Sequence, residues 1–297
     1  MPERQVSLFG PRAHFYECPR WRHGRWWVSD MRGRVVYSFS ESGERRVELE
    51  IDRPGGLGWM PDGKLLVVSM DAKTLLKIGP VGNIEARTDL SSLCGDIDGF
   101  CNDMVVDAAG NAYVGFDADF HKYGPDAELG KIILVPASGP PHVVAEGLAF
   151  PNGIMFSPDG TILIVAETLK PRLSAFAIAA DGSLGPRYIW ASLDPLNDER
   201  GSGGRTIGPS FWPDGCSMDA EGYAWVADAH ASCLRVAPGG AVVDALFLPT
   251  SMRAFACGLG GRDGRTLLIC GAMADVADRT TCKSAQLFTA QVPVGAA

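Results

Sequence analysis

The apolar positions of this chain fall in short runs broken by polar turns, and no long stretch follows a helical period. Six of these runs open the same way, with a turn glycine followed by β-forming residues. They are His23-Gly24-Arg25-Trp26-Trp27-Val28, Asp62-Gly63-Lys64-Leu65-Leu66-Val67 and Ala109-Gly110-Asn111-Ala112-Tyr113-Val114, then Asp159-Gly160-Thr161-Ile162-Leu163-Ile164, Glu221-Gly222-Tyr223-Ala224-Trp225-Val226 and Asp263-Gly264-Arg265-Thr266-Leu267-Leu268. Glycine reaches the positive φ that a tight turn needs, so each copy predicts a hairpin. The glycines are 39, 47, 50, 62 and 42 residues apart, a spacing that suits propeller blades. A second strand-like run follows each copy, as in Ile132-Ile133-Leu134-Val135, and another precedes it, as in Gly153-Ile154-Met155-Phe156. The pattern therefore predicts an all-β fold, a six-bladed β-propeller with four-stranded blades, as a single domain over residues 1–297. A β-sandwich or two small β domains is the competing reading, but neither predicts six comparable units. The last blade runs out of chain after Val292, and an unpaired edge is a liability. Gln5-Val6-Ser7-Leu8 is the expected closing strand.

The turn glycines also serve as a ruler. Eight residues before each of the last five stand Gly55, Asn102, Asn152, Asp214 and Ala256; seven before the first stands Glu17. In a propeller the inner strands line a central channel, so Glu17, Asn102, Asn152 and Asp214 are expected at one depth of its mouth. Charges without partners are costly to bury, and a bound cation removes that cost. Oxygen-only donors favour a hard divalent ion, Ca2+, Mg2+ or Mn2+, with Zn2+ or Fe2+ admissible. Read singly, Pro151-Asn152-Gly153 and Pro213-Asp214-Gly215 look like turns; their shared offset is what points to a metal.

Composition narrows the class. The net charge is −8 and there is no basic cluster, which argues against nucleic acid. No apolar run approaches the ~20 residues that span a bilayer. Met1-Pro2-Glu3-Arg4 leads into no apolar signal core, so a cytoplasmic protein is expected, a monomer or small homo-oligomer. None of the eight cysteines forms a C-x-x-C pair, and reduced, mostly buried thiols are expected. The middle strands should end at the mouth in Ser29-Asp30, Ser69-Met70-Asp71, Asp117-Ala118-Asp119, Glu167-Thr168, Asp228-Ala229-His230 and Asp275, read mostly as solvated loop residues. His230, His121, Lys170 and Arg172 are rim candidates. The long connections 116–130 and 192–212 are candidate binding loops or lids.

Four segments in order resemble the SMP-30/gluconolactonase/regucalcin-like (LRE) family over nearly the whole chain. They are Glu17-Cys18-Pro19-Arg20-Trp21, Asn102-Asp103 before a strand, Pro151-Asn152-Gly153-Ile154, and Pro213-Asp214-Gly215. The resemblance implies a divalent metal in the channel held by Glu17, Asn152 and Asp214, with Asn102 beside them on the substrate side. It also implies hydrolysis of a lactone, with Asp214 as general base and Asn102 orienting the carbonyl or the oxyanion. Members acting on sugar lactones often carry Arg where this chain has Phe100. Phe116, Phe120, Phe150, Phe211, Trp212 and Phe255 lie near expected mouth positions, so a substrate less polar than a sugar lactone is expected. The expected substrate contacts are Asn102, Phe100, Asp119, Phe116, His230 and Trp212. A sugar-acid lactonase, a metal-dependent esterase or phosphotriesterase, and a non-catalytic metal- or ligand-binding propeller are the alternatives. No Gly-x-Ser-x-Gly elbow is present for a serine route.

Overall fold

The computed structural model describes residues 4–193, 211–229, 232–273 and 282–297. Each of the six turn glycines has a positive φ, between 68° and 91°, so the hairpins form where the repeat places them. The N-terminal strand β1 (Ser7–Ala13) precedes the first blade, which consists of β2 (Tyr16–Arg22), β3 (Arg25–Asp30), β4 (Val35–Phe39) and β5 (Arg45–Glu50). The second holds β6 (Pro54–Trp59), β7 (Leu65–Ser69), β8 (Thr74–Ile78) and β9 (Ile84–Asp89). A short helix, α1 (Ser91–Cys94), leads to the third, β10 (Gly99–Val106), β11 (Ala112–Ala118), β12 (Gly130–Val135) and β13 (His142–Leu148). Within it the connection after β11 carries α2 (Phe120–Tyr123). The fourth blade is β14 (Pro151–Phe156), β15 (Ile162–Glu167), β16 (Arg172–Ala177) and β17 (Tyr188–Ser192). The fifth is β18 (Pro213–Met218), β19 (Ala224–Asp228), β20 (Ser232–Val236) and β21 (Val242–Phe247). The sixth is β22 (Met252–Gly260), β23 (Thr266–Met273) and β24 (Ala285–Gln291), completed by β1.

Every sheet is antiparallel and four-stranded, and the six form a ring: a six-bladed β-propeller. Closure comes from the N-terminus, with Ser7, Leu8 and Phe9 opposite Thr289, Phe288 and Leu287. The closing strand starts at Ser7, two residues later than the sequence suggests, and Gln286 Nε2 donates to Phe9 O and Gly10 O, each at 3.1 Å, where the pairing is irregular. Apolar layers lie between blades. Val36, Leu57, Val67 and Leu76 pack between the first and second, and Tyr113, Leu134, Ile154 and Val165 between the third and fourth. Each fully buried side chain of this size contributes roughly 1.5–3 kcal/mol. No helix among the described residues is long and apolar enough to cross a membrane.

One irregularity recurs in all six blades. Near its start, each inner strand carries one residue more than its partner. In blades two to five the bulged residues are Gly55-Gly56, Asn102-Asp103, Asn152-Gly153 and Asp214-Gly215. In blade one they come a residue later, at Cys18-Pro19, where Cys18 takes a φ of 51°. A bulge bends the strand and re-aims its side chains. Here the residues singled out by the glycine ruler sit on or beside these bulges.

Candidate functional site

Glu17, Asn102, Asn152 and Asp214 come from four inner strands and are all buried, 5–8% exposed. Asn102 Nδ2 lies 3.4 Å from Asn152 Oδ1 and 2.8 Å from Asp117 Oδ2. Asn152 Nδ2 donates to Thr168 Oγ1 at 3.2 Å, and that hydroxyl donates to Pro213 O at 2.7 Å. Cys18 N donates to Glu17 Oε2 at 3.1 Å. Burial pushes the Glu17 carboxyl well above its ordinary range, and the nearby Asp214 adds to the effect. Burial likewise pushes Asp214 up, against the Gly215 N–H, with Asp103 raising it further. Arg20 is committed elsewhere. It reaches from blade one to blade three, with Nη2 2.7 Å from Asp103 Oδ1 and 2.9 Å from Met104 O.

Among the described residues four buried side-chain polar atoms have no hydrogen-bond partner, and two of them, Asp214 Oδ1 and Asp117 Oδ1, belong to this cluster. A buried carboxylate oxygen without a donor, beside a second buried carboxylate, fits a cation. The donors are two carboxylates and amide oxygens, suited to a hard divalent ion. No described group of three or more His, Cys, Asp or Glu side chains offers a rival site. A cavity of about 410 Å3 opens at the other end of the channel, between inner strands of all six blades. Arg20, Trp21, Trp59 and Phe156 line it, and none of the four cluster residues does.

The mouth has an aromatic collar. Phe15, Phe100, Phe150 and Trp212 each stand two residues before a cluster residue. Phe100 is half-buried, edge-on to Phe150 at 6.0 Å, with the Arg53 guanidinium 4.5 Å over its ring. Phe150 also meets the exposed Phe120 at 6.0 Å and holds a φ of 62°, a conformation that costs a bulky residue on the order of 1 kcal/mol or more. Trp212 is 46% exposed. Asp119 is partly exposed and caps α2, accepting from His121 N at 2.9 Å. Lys170 is paired with Asp126 at 3.1 Å and Arg172 with Glu167 at 2.7 Å.

Two expectations are corrected. Phe116 is fully buried in the core as the ladder partner of Cys101, so its ring does not line the mouth. Four of the strand-end acids are not solvated: Asp30, Asp117, Glu167 and Asp228 are buried, while Asp71 is exposed. Three of them tie down the backbone leading to an inner strand. Asp30 accepts from Phe15 N at 2.8 Å, Glu167 from Ala149 N at 2.7 Å, and Asp228 from Trp212 N at 3.2 Å. Burial would raise Glu167, but Arg172, Ala149 N–H and Ser174 outweigh it and hold the carboxyl low. Asp117 bonds a side chain instead, and burial pushes it well above its ordinary range. His230, Asp275 and the segment 194–210 of the long connection lie outside the described residues.

The model of the SMP-30/Gluconolactonase/LRE-like region matches residues 15–273. A 6-deoxy-6-sulfogluconolactonase of Pseudomonas putida is 28% identical over 274 residues, covering 90% of this chain and 84% of that protein. Among solved structures, a calcium-binding regucalcin from Agrobacterium tumefaciens superposes with a TM-score of 0.77 at 20% identity, over 99% of this chain and 96% of that one. A gluconolactonase from Xanthomonas campestris gives 0.72 at 19% identity, over 98% and 90%. Match and motifs agree over the residues that build the mouth, and the chain belongs to the SMP-30/gluconolactonase/LRE-like family.

Proposed function

We propose that the protein is a metal-dependent lactonase, with the cation held by Glu17, Asn152 and Asp214, acting on a lactone less polar than a sugar lactone. The observation that carries the metal is the unpartnered Asp214 Oδ1, sealed beside a second buried carboxylate. The lactone reading is supported by the relative from Pseudomonas putida, whose name gives a lactonase activity. Held by Glu17, Asn152 and Asp214, a divalent ion would polarise an ester carbonyl and make a water more acidic. Asp214, a buried carboxylate at the cation site, takes the proton of the attacking water. Asn102, at the edge of the cluster, meets the substrate. Hydrolysis adds water across the acyl–oxygen bond, opening the ring to a hydroxy acid. The collar of Phe100, Phe150 and Trp212 binds the rest of the ring and excludes water.

Acid release from a panel of lactones, aryl esters and organophosphates, with and without added divalent ions, tests this. Apolar lactones are expected to turn over fastest, a chelator to abolish activity, and Asp214→Asn to lose about 10²–10⁴-fold in rate with the fold intact. Full activity in metal-stripped protein would sink the mechanism. The name of the same relative favours a second reading, a polyhydroxylated sugar lactone as substrate. Faster turnover of such a lactone than of every apolar one would decide for it.

A further inference from the structure

The hydrogen bonds at the mouth have a direction, and one end of them is fixed by the backbone. Pro213 O can only accept, so the Thr168 hydroxyl 2.7 Å away donates to it. The Thr168 oxygen is then left as the acceptor for Asn152 Nδ2. Asn152 must turn its Oδ1 toward Asn102, and only Asn102 Nδ2 can meet it. The other Nδ2 hydrogen of Asn102 goes to Asp117 Oδ2. Both N–H bonds of Asn102 are spent within the protein, and its Oδ1 makes no hydrogen bond among the described residues.

The register shows that these supports are placed selectively. In blades two to five the last ladder pair before the bulge is Pro54 with Ser69, Cys101 with Phe116, Pro151 with Glu167, and Pro213 with Asp228. The next residues on the middle-strand side are Met70, Asp117, Thr168 and Ala229. Among these four blades that position is polar only in the third and fourth, the two whose bulge carries an asparagine; in blade one it is Asp30, which accepts from Phe15 N. In blade three the acid stands one residue beyond the position held by Glu167 and Asp228. A shift of one residue turns a strand side chain to the other face of its sheet. Asp117 accordingly meets Asn102 rather than a backbone N–H.

We infer that Thr168 and Asp117 are positioning residues that lock the amides of Asn152 and Asn102, leaving Asn102 Oδ1 free and Asn152 Oδ1 with one lone pair beyond its bond to Asn102 for a ligand, so that Asn102 accepts a hydrogen bond from the attacking water or a substrate hydroxyl and does not donate to the oxyanion. This rests on the lactonase reading for its last step only; the orientation of the amides stands without it.

The test has one arm that needs no reaction. In 15N-labelled, metal-free protein the Asn102 side-chain amide protons, assigned by their loss in Asn102→Ala, are expected to exchange at least about tenfold more slowly than those of exposed asparagines. In the second arm, calorimetry with Ca2+ or Mn2+ alone should show Thr168→Val weakening the ion about 10–100-fold, while Thr168→Ser stays close to wild type. In the third, Asp117→Leu should lower kcat/KM for the best lactone by about tenfold or more, and Asp117→Asn, which still offers an accepting oxygen, should keep most of it. Fast exchange at Asn102 in the wild type, wild-type affinity in Thr168→Val, or equal losses in Asp117→Asn and Asp117→Leu would each overturn the inference. Should Thr168→Val not fold, the wild-type exchange rates decide. If the wild type opens no lactone, the lactonase reading falls, and exchange and calorimetry still judge the amides.

Discussion

On the proposed reading, Phe100 is the side chain that sets what the mouth accepts. Its ring stacks under Arg53 and against Phe150, two residues before Asn102 and so beside the reacting centre. A phenyl ring offers area and no hydrogen-bond donor, so it favours an apolar ring over one whose hydroxyls need partners. Phe100→Ala is therefore expected to cut kcat/KM for the apolar lactones by about 10–100-fold, given ~1–3 kcal/mol for a lost apolar contact, with a smaller loss for a sugar lactone. Equal losses for both classes would remove Phe100 from the account of specificity. At this scale Glu17, Asn102, Asn152 and Asp214 were legible in the sequence because each is counted back from its own blade's turn glycine. Asp117 and Thr168 were not, and were read as solvated loop residues. Their role depends on which residue stands across the ladder, and that register is a property of the pairing. Phe116 was misread for the same reason: its ladder position belongs to the core.

The bulged inner strand is the element that makes the site. Its extra residue lifts Asn102, Asn152 and Asp214 out of strict alternation at one depth of the channel. The residue after it must let the neighbouring strand approach. A Cβ on Gly153 would lie 2.5 Å from Asp214 O and 2.6 Å from Cys216 N, both backbone atoms that cannot swing aside. Gly153→Ala should therefore push β14 and β18 apart, destabilising the fold by roughly 1–3 kcal/mol, as overpacking does elsewhere. It should also loosen the joint grip of Asn152 and Asp214 on an ion. A urea midpoint and an ion affinity both equal to wild type would refute this. The strands and their turns follow from alternating apolar runs and positive-φ glycines, which is why six blades could be counted from sequence. The bulges could not, since an extra residue shows only against the partner strand.

Across the whole ring, charge links the blades. Arg20 answers Asp103 across the channel and offsets only part of the rise at Glu17; Glu17 of blade one and Asp214 of blade five are both raised by burial and by neighbouring acids. In the unfolded chain both carboxyls ionise near pH ~4. A folded acid with a raised pKa costs nothing below that value; above it, the unfolded chain gives up its protons first and stability falls until the folded group ionises. The metal-free ring should thus lose stability as pH rises above about 4. A divalent ion held as proposed would take the ionised pair and displace its protons, so its binding should strengthen over the same range. At a free-ion concentration of about 100 Kd the gain is about 2.7 kcal/mol. The difference in Tm between Ca2+-saturated and chelator-treated protein is therefore expected to widen from about pH 5 to about pH 7.5. Asp214→Asn should shrink that difference and flatten its pH dependence. A difference that is zero, or equal at both ends of the range, would show that no ion joins blades one, four and five at the mouth.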